Sequence, residues 1–403
     1  MNKLFRLDSF ISEYVIKRSE SLFADDIKTY EDELKDRINN KSMLVIGAAG
    51  TIGSNFVKAA LRFKPGSLIV IDINENGLTE LVRDCRSSTE IRLPVNFKSY
   101  PINFSDKVFE KIFSAEGPFD IIANFAAHKH VRSEKDAFSI EAMIENNVIK
   151  AKKFLDLLLD YPPKHFFCVS TDKAANPVNV MGASKKLMED MIMSYSTKLK
   201  ITTARFANVA FSNGSLLIGF LERMMKQQPL ACPSDVKRFF VSPKESGEIC
   251  LCACVLGESG DIFFPKLSAE LDLTSFASIV EPFLNQFGFK IDHCVNEEEA
   301  KQKAFNLKSD KYPVYFFNSE TSGEKLYEEF YTEDESPITD MYNSLGIIKL
   351  KHRKTIEEIN FIVNEIELLF RSNADKKDIV DLLKRLLPGF NHIETGLNLD
   401  QKM

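Results

Sequence analysis

A glycine turn set between an apolar strand and a helix constrains this chain most. "MLVIGAAGTIGSNFVKAALRF", from Met43 to Phe63, carries an apolar run into Gly47, Gly50 and Gly53 and then into a helical pattern. Two glycines let a backbone turn tightly and approach a pyrophosphate; the third lets the helix pack close to its strand. The helix N-terminus then offers unpaired N–H groups and the positive end of its dipole to phosphate oxygens. A second apolar run, "LIVID", ends at Asp72, close to the roughly 20-residue interval expected for an acid that binds a ribose. Gly47, Gly50, Thr51, Ile52, Gly53 and Asp72 are therefore read as cofactor contacts. Asp72 would accept hydrogen bonds from the ribose and repel a 2′-phosphate. The residues that follow, "INENG", include Glu75 and no Arg or Lys, which favours NAD over NADP.

Further buried strands, "DIIANFAA" and "HFFCVST", alternate with helical stretches such as "SIEAMIENNVIKAKKFLDLLLD". Such alternation predicts an α/β fold, a doubly wound parallel sheet of Rossmann type covered on both faces. After about residue 210 the alternation weakens and Gly and Pro punctuate the chain, as expected of a smaller mixed domain. The predicted organisation is a polar helical segment over 1–40, an NAD-binding domain over 41–210, an interleaved substrate-binding domain over 211–350, and a C-terminal helical extension over 351–403. In the last, "TIEEINFIVNEIELLF" and "KKDIVDLLKRLLPGF" have amphipathic spacing and suggest a hairpin suited to packing or homo-oligomer contact.

Composition narrows the function. The 403 residues are 44% hydrophobic, with a net charge of −6, which argues against a nucleic-acid or anionic-membrane surface. No apolar run approaches the roughly 20 residues a membrane span needs, and the N-terminus lacks a signal-peptide core, so a cytoplasmic location is expected. The 7 cysteines show no C-x-x-C spacing and the histidines no H-E-x-x-H, so neither a disulfide framework nor a metal site is expected. "CLCAC" (Cys250, Cys252, Cys254), following "SPKESGE", is read as small buried side chains on a helix.

"VSTDKAANPVNVMGASKKLMED" carries the chemistry. Ser170, Thr171, Asp172 and Lys173 follow the strand "HFFCV", and in an open α/β sheet the C-terminal strand ends face the ligand crevice. A hydroxyl, a carboxyl and an amine are thereby offered together. Lys185 lies one helical turn after Met181 on the same face.

The spacing G-x-x-G-x-x-G points to the short-chain dehydrogenase/reductase superfamily, whose members usually carry Tyr where Met181 stands. "GAAGTIGS", "AAHKHV", "STDKAANPVNVMGASKK", "RFANVAFSNGS", "VKRFFVSPKES" and "GEKLYEEF" occur in order over roughly 43–330. Together they resemble the nucleotide-sugar 4,6-dehydratases that act on UDP-N-acetylglucosamine in bacterial surface-glycan synthesis, in a branch with Met for Tyr. The resemblance implies oxidation at sugar C4, loss of water across C5–C6 and return of hydride to C6. It makes Asp172 the acid for the C6 hydroxyl, Lys173 the base at C5, Thr171 a hydrogen-bond donor to the C4 oxygen, and Lys185 both a cofactor contact and, directly or through water, the candidate to take the C4 proton. Met181 then shapes an apolar wall by the sugar. The acid needs a raised pKa and the base a lowered one, and burial moves each that way.

The same resemblance assigns the remaining contacts. Asn103 or Asp106, after the third strand, meets adenine; Ala126 and Ala127 line the cofactor channel; Lys129 and His130 face cofactor or sugar. Asn147, or in another register Asn146, steadies the site. Asn208, Ser215 and Arg238 are expected at the diphosphate or sugar, Arg238 because guanidinium binds phosphate oxygens in a fork. Glu324 and Lys325 are expected at the nucleotide or a subunit contact. The chain departs from the family at Arg132, where Pro is usual after "HV", and in "FFPKLSAELDL" and "YFFNSETSGEKL", near which nucleotide and sugar are recognised. Two other readings stay open. One is an epimerase or ketoreductase on a related nucleotide sugar, in which Asp172 and Lys173 only position it. The other is a non-catalytic cofactor-binding scaffold.

Overall fold

A computed structural model describes residues 5–307, 310–319 and 328–394. Its strands are β1 Ser42–Ile46, β2 Ser67–Ile71, β3 Asn96–Tyr100, β4 Ile121–Asn124, β5 His165–Val169, β6 Ile201–Ala204, β7 Asn208–Val209, β8 Leu230–Pro233, β9 Lys237–Val241, β10 Asp261–Pro265, β11 Leu273–Ser275, β12 Lys290–Cys294, β13 Lys311–Phe317, β14 Pro337–Ile338 and β15 Leu345–Lys349. One sheet takes nine of them in the order β14-β15-β10-β6-β5-β4-β1-β2-β3. From β3 to β10 neighbours run parallel, and β15 and β14 close the edge antiparallel. Every residue of β4, β5, β6 and β10 is buried. Helices cover both faces, which is why these strands read as continuous apolar runs rather than alternating ones.

The chain winds outward from β1 through β2 to β3, then returns to lay β4 on the other side of β1. That reversal opens a crevice above the C-terminal ends of β1 and β4, where an open α/β sheet binds its ligands. The glycine turn follows β1, and Ala126 and Ala127 follow β4.

The second half of the chain is built into this sheet. It supplies β10, β14, β15 and the helix Pro243–Leu256, which packs on the glycine-turn helix Thr51–Leu61. A capping box of Ser242 and Glu245, with proline in the first turn, starts that helix. Cys250, Cys252 and Cys254 on it are fully buried, and burial pushes their thiols up, so they act as small apolar side chains. The rest of the second half forms two three-stranded sheets, β11-β9-β7 and β12-β13-β8, around a smaller core that includes Phe211, Phe220, Phe283 and Val314.

The N-terminal segment departs from the polar helix expected of it. It is broken into short helical pieces, Leu7–Phe10, Ile11–Val15, Ala24–Thr29 and Glu31–Ile38. Phe10, Ile11 and Val15 enter the smaller core, whereas Phe23, Ile27, Leu34 and Ile38 enter the main one. Its apolar residues are split between two cores by a non-helical turn, so no single helical period runs through them. At the other end, helices Ile356–Phe370 and Lys376–Leu386 form the expected hairpin. They pack on the helices Val180–Tyr195 and Ala137–Ile144 respectively.

Candidate active site

Gly47 turns the chain at φ +75°, and a Cβ there would fall 2.6 Å from the Ala126 nitrogen, so only glycine lets the two strand ends approach. A Cβ on Gly53 would fall 2.2 Å from the Gly47 oxygen. At Gly50, which caps the helix Thr51–Leu61, a Cβ would meet only the Gly47 oxygen, at an ordinary contact distance of 3.5 Å, so this position is not closed off by packing. Asp72, at the end of β2, accepts from the Ala49 N–H at 2.9 Å and from the Asn74 N–H at 2.9 Å, which fixes the turn against it.

These groups line one cleft. Gly47, Gly50, Thr51, Ile52, Gly53, Asp72, Asn103, Ala126, Ala127 and Lys129 all face it, together with Asn146 and Asn213. Asp106 instead turns back to accept from the Asn103 N–H at 3.1 Å, so of the two adenine candidates Asn103 lies at the cleft. A glycine cradle, a helix N-terminus and an acid at the second strand end fit a dinucleotide. Asn213 donates its N–H to Thr51 Oγ1 at 3.0 Å, so the loop that opens the second half of the chain touches the glycine-turn helix directly. His130 packs against the same loop: a Cβ on Gly214 would fall 2.6 Å from its Cε1.

The residues after β5 gather a second group. Thr171 Oγ1 donates to Asp172 Oδ1 at 2.8 Å, and Lys173 Nζ donates to the same oxygen at 3.1 Å. Asp172 is only 3% exposed. A residue that sequence reasoning did not single out completes the cluster: Glu328, buried, brings Oε1 to 3.7 Å from Lys173 Nζ. Its neighbour Glu329 accepts from Asn176 Nδ2 at 2.8 Å. Burial by itself would lower the Lys173 pKa, but the carboxylates of Asp172 and Glu328 outweigh burial and the nearby Arg238, and the net direction is up. The downward shift expected from burial alone is thus reversed, because a lysine between two carboxylates is better solvated as a cation.

Lys185 behaves in the opposite way. It is 4% exposed, donates to the Val169 carbonyl at 2.7 Å and touches Met188 Sδ at 3.3 Å, and burial lowers its pKa. Its amine tucks under the end of β5 and is not among the groups that line this cleft. Met181, on the turn before, is buried. The helix that carries both starts at Val180, capped by Asn179, which accepts from the Gly182 N–H at 2.7 Å.

Asn147 ties this helix to the cleft. It sits in the π-helical turn Glu145–Ile149, a local widening of the kind often found at functional sites. It accepts from the His128 N–H at 2.8 Å and donates to the His128 carbonyl at 2.9 Å and to Ser184 Oγ at 3.1 Å. Asn146 lines the cleft, so the two registers left open describe two different duties.

The substrate-side candidates separate. Asn208 Nδ2 is buried and finds no hydrogen-bond partner among the described residues, an amide left waiting for an acceptor. Arg238 is buried on β9, beside Lys173. Ser215 caps the helix Leu216–Met225, accepting from the Ile218 N–H. Glu324 and Lys325 lie outside the described residues.

With this geometry in view, a match to a model of the polysaccharide biosynthesis protein family covers residues 43–349. The chain belongs to that family. Proteins similar to it include an uncharacterized membrane protein of Methanocaldococcus jannaschii, 32% identical over 84% of this chain and 99% of that one. A UDP-N-acetylglucosamine 4,6-dehydratase (inverting) of Campylobacter jejuni is 23% identical over 88% of this chain and 99% of its own. A UDP-glucose 4-epimerase of Rickettsia felis is 25% identical over 89% and 98%. Against two longer polysaccharide biosynthesis proteins, from Staphylococcus aureus and Bacillus subtilis, the chain spans about half their length, 54% and 49%. Among solved structures, Pen from Bacillus thuringiensis superposes with a TM-score of 0.63 at 22% identity, covering 82% of this chain and 99% of that one, which bears out the Rossmann-type α/β fold. No helix among the described residues is long and apolar enough to cross a membrane.

Proposed function

We propose that this protein is an NAD-dependent nucleotide-sugar 4,6-dehydratase acting on UDP-N-acetylglucosamine or a close nucleotide hexose, in the making of a surface glycan. One observation carries the reading: a hydrogen-bonded Thr171–Asp172–Lys173 cluster built on the buried Asp172 at the end of β5, one strand away from the dinucleotide cleft, beside a helix whose usual tyrosine position holds Met181. The full-length likeness to the Campylobacter jejuni dehydratase supports it.

Gly47, Gly50 and the start of the helix Thr51–Leu61 would hold the pyrophosphate, Asp72 the adenosine ribose, and Asn103 the adenine. When bound, the nicotinamide would supply a hydride acceptor for sugar C4 and a hydride donor for C6. The protein's own residues handle protons. Lys185, with its lowered pKa and its amine set back from the cleft, takes the C4 hydroxyl proton through water, while Thr171 donates a hydrogen bond to the C4 oxygen. The C4 ketone acidifies the C5 proton, which Lys173 removes and later returns. Asp172 protonates the C6 hydroxyl as it leaves as water. Arg238 and the unpartnered amide of Asn208 would bind diphosphate or sugar oxygens.

Incubation of the purified protein with UDP-N-acetylglucosamine, followed by mass spectrometry, should reveal a product lighter by one water. No dehydrated product from UDP-, GDP- or dTDP-linked hexoses, with NAD supplied, would sink the proposal.

The second reading, a 4-epimerase, draws on the Rickettsia felis relative and on the upward shift of Lys173, which suits a positioning cation better than a base. It predicts a product of unchanged mass and no loss of the C5 hydrogen.

A further inference from the structure

Lys173 can act as a base only after it loses a proton, yet it rests beside two carboxylates. Asp172 is its chain neighbour. Glu328 comes from a distant segment and is fixed there from behind. Two residues on, the Phe330 carbonyl accepts from Arg205 Nη1 at 3.0 Å, and the Phe330 ring packs on Phe239 and Phe264. Glu335 pairs with the same guanidinium at 2.7 and 2.8 Å. Arg205 itself is fully buried and bound to Glu189 of the helix Val180–Tyr195. Glu329 holds Asn176, three residues beyond Lys173. The segment 328–335 is therefore anchored at one end to the catalytic helix and applied at the other to the loop 172–176.

We propose that Glu328 is a positioning residue for the reaction: its carboxylate holds the Lys173 amine and sets the pH at which that amine is free to take the C5 proton. Among the described residues, the charged groups facing Lys173 are Asp172, Glu328 and Arg238. Asp172 is committed as the acid, and Arg238 pushes the amine the other way. Glu328 is thus the group whose removal changes the charge state of Lys173 without removing a reacting atom. An opposite charge at this distance shifts a pKa by about 1–3 units. A carboxylate raises a lysine pKa, so its loss lowers it, and the neutral amine appears at lower pH.

The role of Lys173 as base rests on the dehydratase reading, so the test has two arms. In the first, Lys173 is labelled by trace acetic anhydride across a pH series and quantified by peptide mass spectrometry, which needs no turnover. The labelling midpoint should fall by about one pH unit in Glu328→Gln and stay near wild type in Glu328→Asp. In the second, the alkaline-rising limb of the dehydration rate should move toward acid by the same amount in Glu328→Gln only. A Glu328→Gln protein that retains NAD binding and labels like wild type would overturn the proposal. So would a wild-type midpoint below that of exposed lysines in the same digest, a result available even if the glutamine variant does not fold. A failed dehydration assay alongside a shifted labelling midpoint would refute the reaction and leave the Glu328–Lys173 coupling standing.

Discussion

Two lysines that follow one strand end are driven in opposite directions by their neighbours. Lys185 is enclosed by a carbonyl and a thioether and is pulled down by burial, whereas Lys173 is flanked by carboxylates and is pushed up. The lysine with the lowered pKa is the one on the Met181 helix, so the proton acceptor for the first step does not need a tyrosine. Met181→Tyr should therefore leave turnover unchanged or lower it, and overpacking should cost about 1–3 kcal/mol, read as a fall in Tm. Turnover far above wild type would mean that the helix is a damaged one. Asp172→Asn keeps the shape of the acid and removes its proton, so kcat should fall by about 10²-fold or more while the affinity for NAD, measured by calorimetry, stays the same. Lys185 also marks stability. Its pKa is lower folded than unfolded, so between the two values the unfolded chain holds a proton that the folded chain does not, and stability rises with pH through that window. In Lys185→Met the urea midpoint should lose this rise on the acid side of pH 10.5, the ordinary lysine value.

The elements that carry these residues are held from behind by the C-terminal extension. The Asn391 and Ile393 N–H groups donate to the carbonyls of Pro177 and Val178 at 3.2 and 2.9 Å, in the loop leading into the catalytic helix. Glu134 accepts the Val180 N–H at 2.7 Å with one oxygen and meets His392 with the other. Lys354 reaches Asp190 on the same helix at 3.3 Å. A chain ending at Gly389 loses the tail contacts but keeps both hairpin helices. It should bind NAD as before, lose hydrogen-exchange protection at Val180 and Gly182, and turn over about tenfold more slowly, since small misplacements of reacting groups are costly. Unchanged protection at these amides would remove the clasp from the account. The hairpin itself was legible, because its apolar residues repeat with a helical period, and so were the strand–glycine–helix unit and Asp72, because local spacing determines them. The clasp was not, because hydrogen bonds between 391–393 and 177–178 are backbone to backbone and carry no side-chain signature. Glu328 escaped for a related reason. It stands inside the quoted "GEKLYEEF", but only the packing of Phe330 and Arg205 tells which of its acids turns inward. The retreat of Lys185 from the cleft follows from the carbonyl it finds at the end of β5, a tertiary contact that residue spacing does not encode.

At the scale of the whole molecule, the boundary near residue 210 divides the sequence pattern and not the folding unit. The parallel sheet needs β10 beside β6, and β10 in turn needs β15, at the far end of the described second half. The helix Pro243–Leu256, buried along most of its length, covers the glycine-turn helix and is touched by Glu31–Ile38 of the N-terminal segment. Arg18 in that segment pairs with the buried Glu245 at 2.7 Å and donates to the Phe240 carbonyl at 3.1 Å, just where the chain passes from the small sheet to the main core. Phe10 sets its ring against Phe283 and Phe211 in the smaller core. A fragment of residues 1–210 would therefore leave β6 as an open edge and expose the whole Pro243–Leu256 face of the main core. It should bind ANS and lack a cooperative thermal transition, although it contains the entire glycine turn. The full chain should unfold in one transition by both fluorescence and far-UV circular dichroism. Phe10→Ala, which empties a buried ring site at the junction, should cost about 3–5 kcal/mol. If the cores are as interlocked as the sheet order implies, that loss will lower the single transition rather than split it. Two separated transitions in Phe10→Ala would instead mean that the N-terminal segment alone couples two independently folding halves.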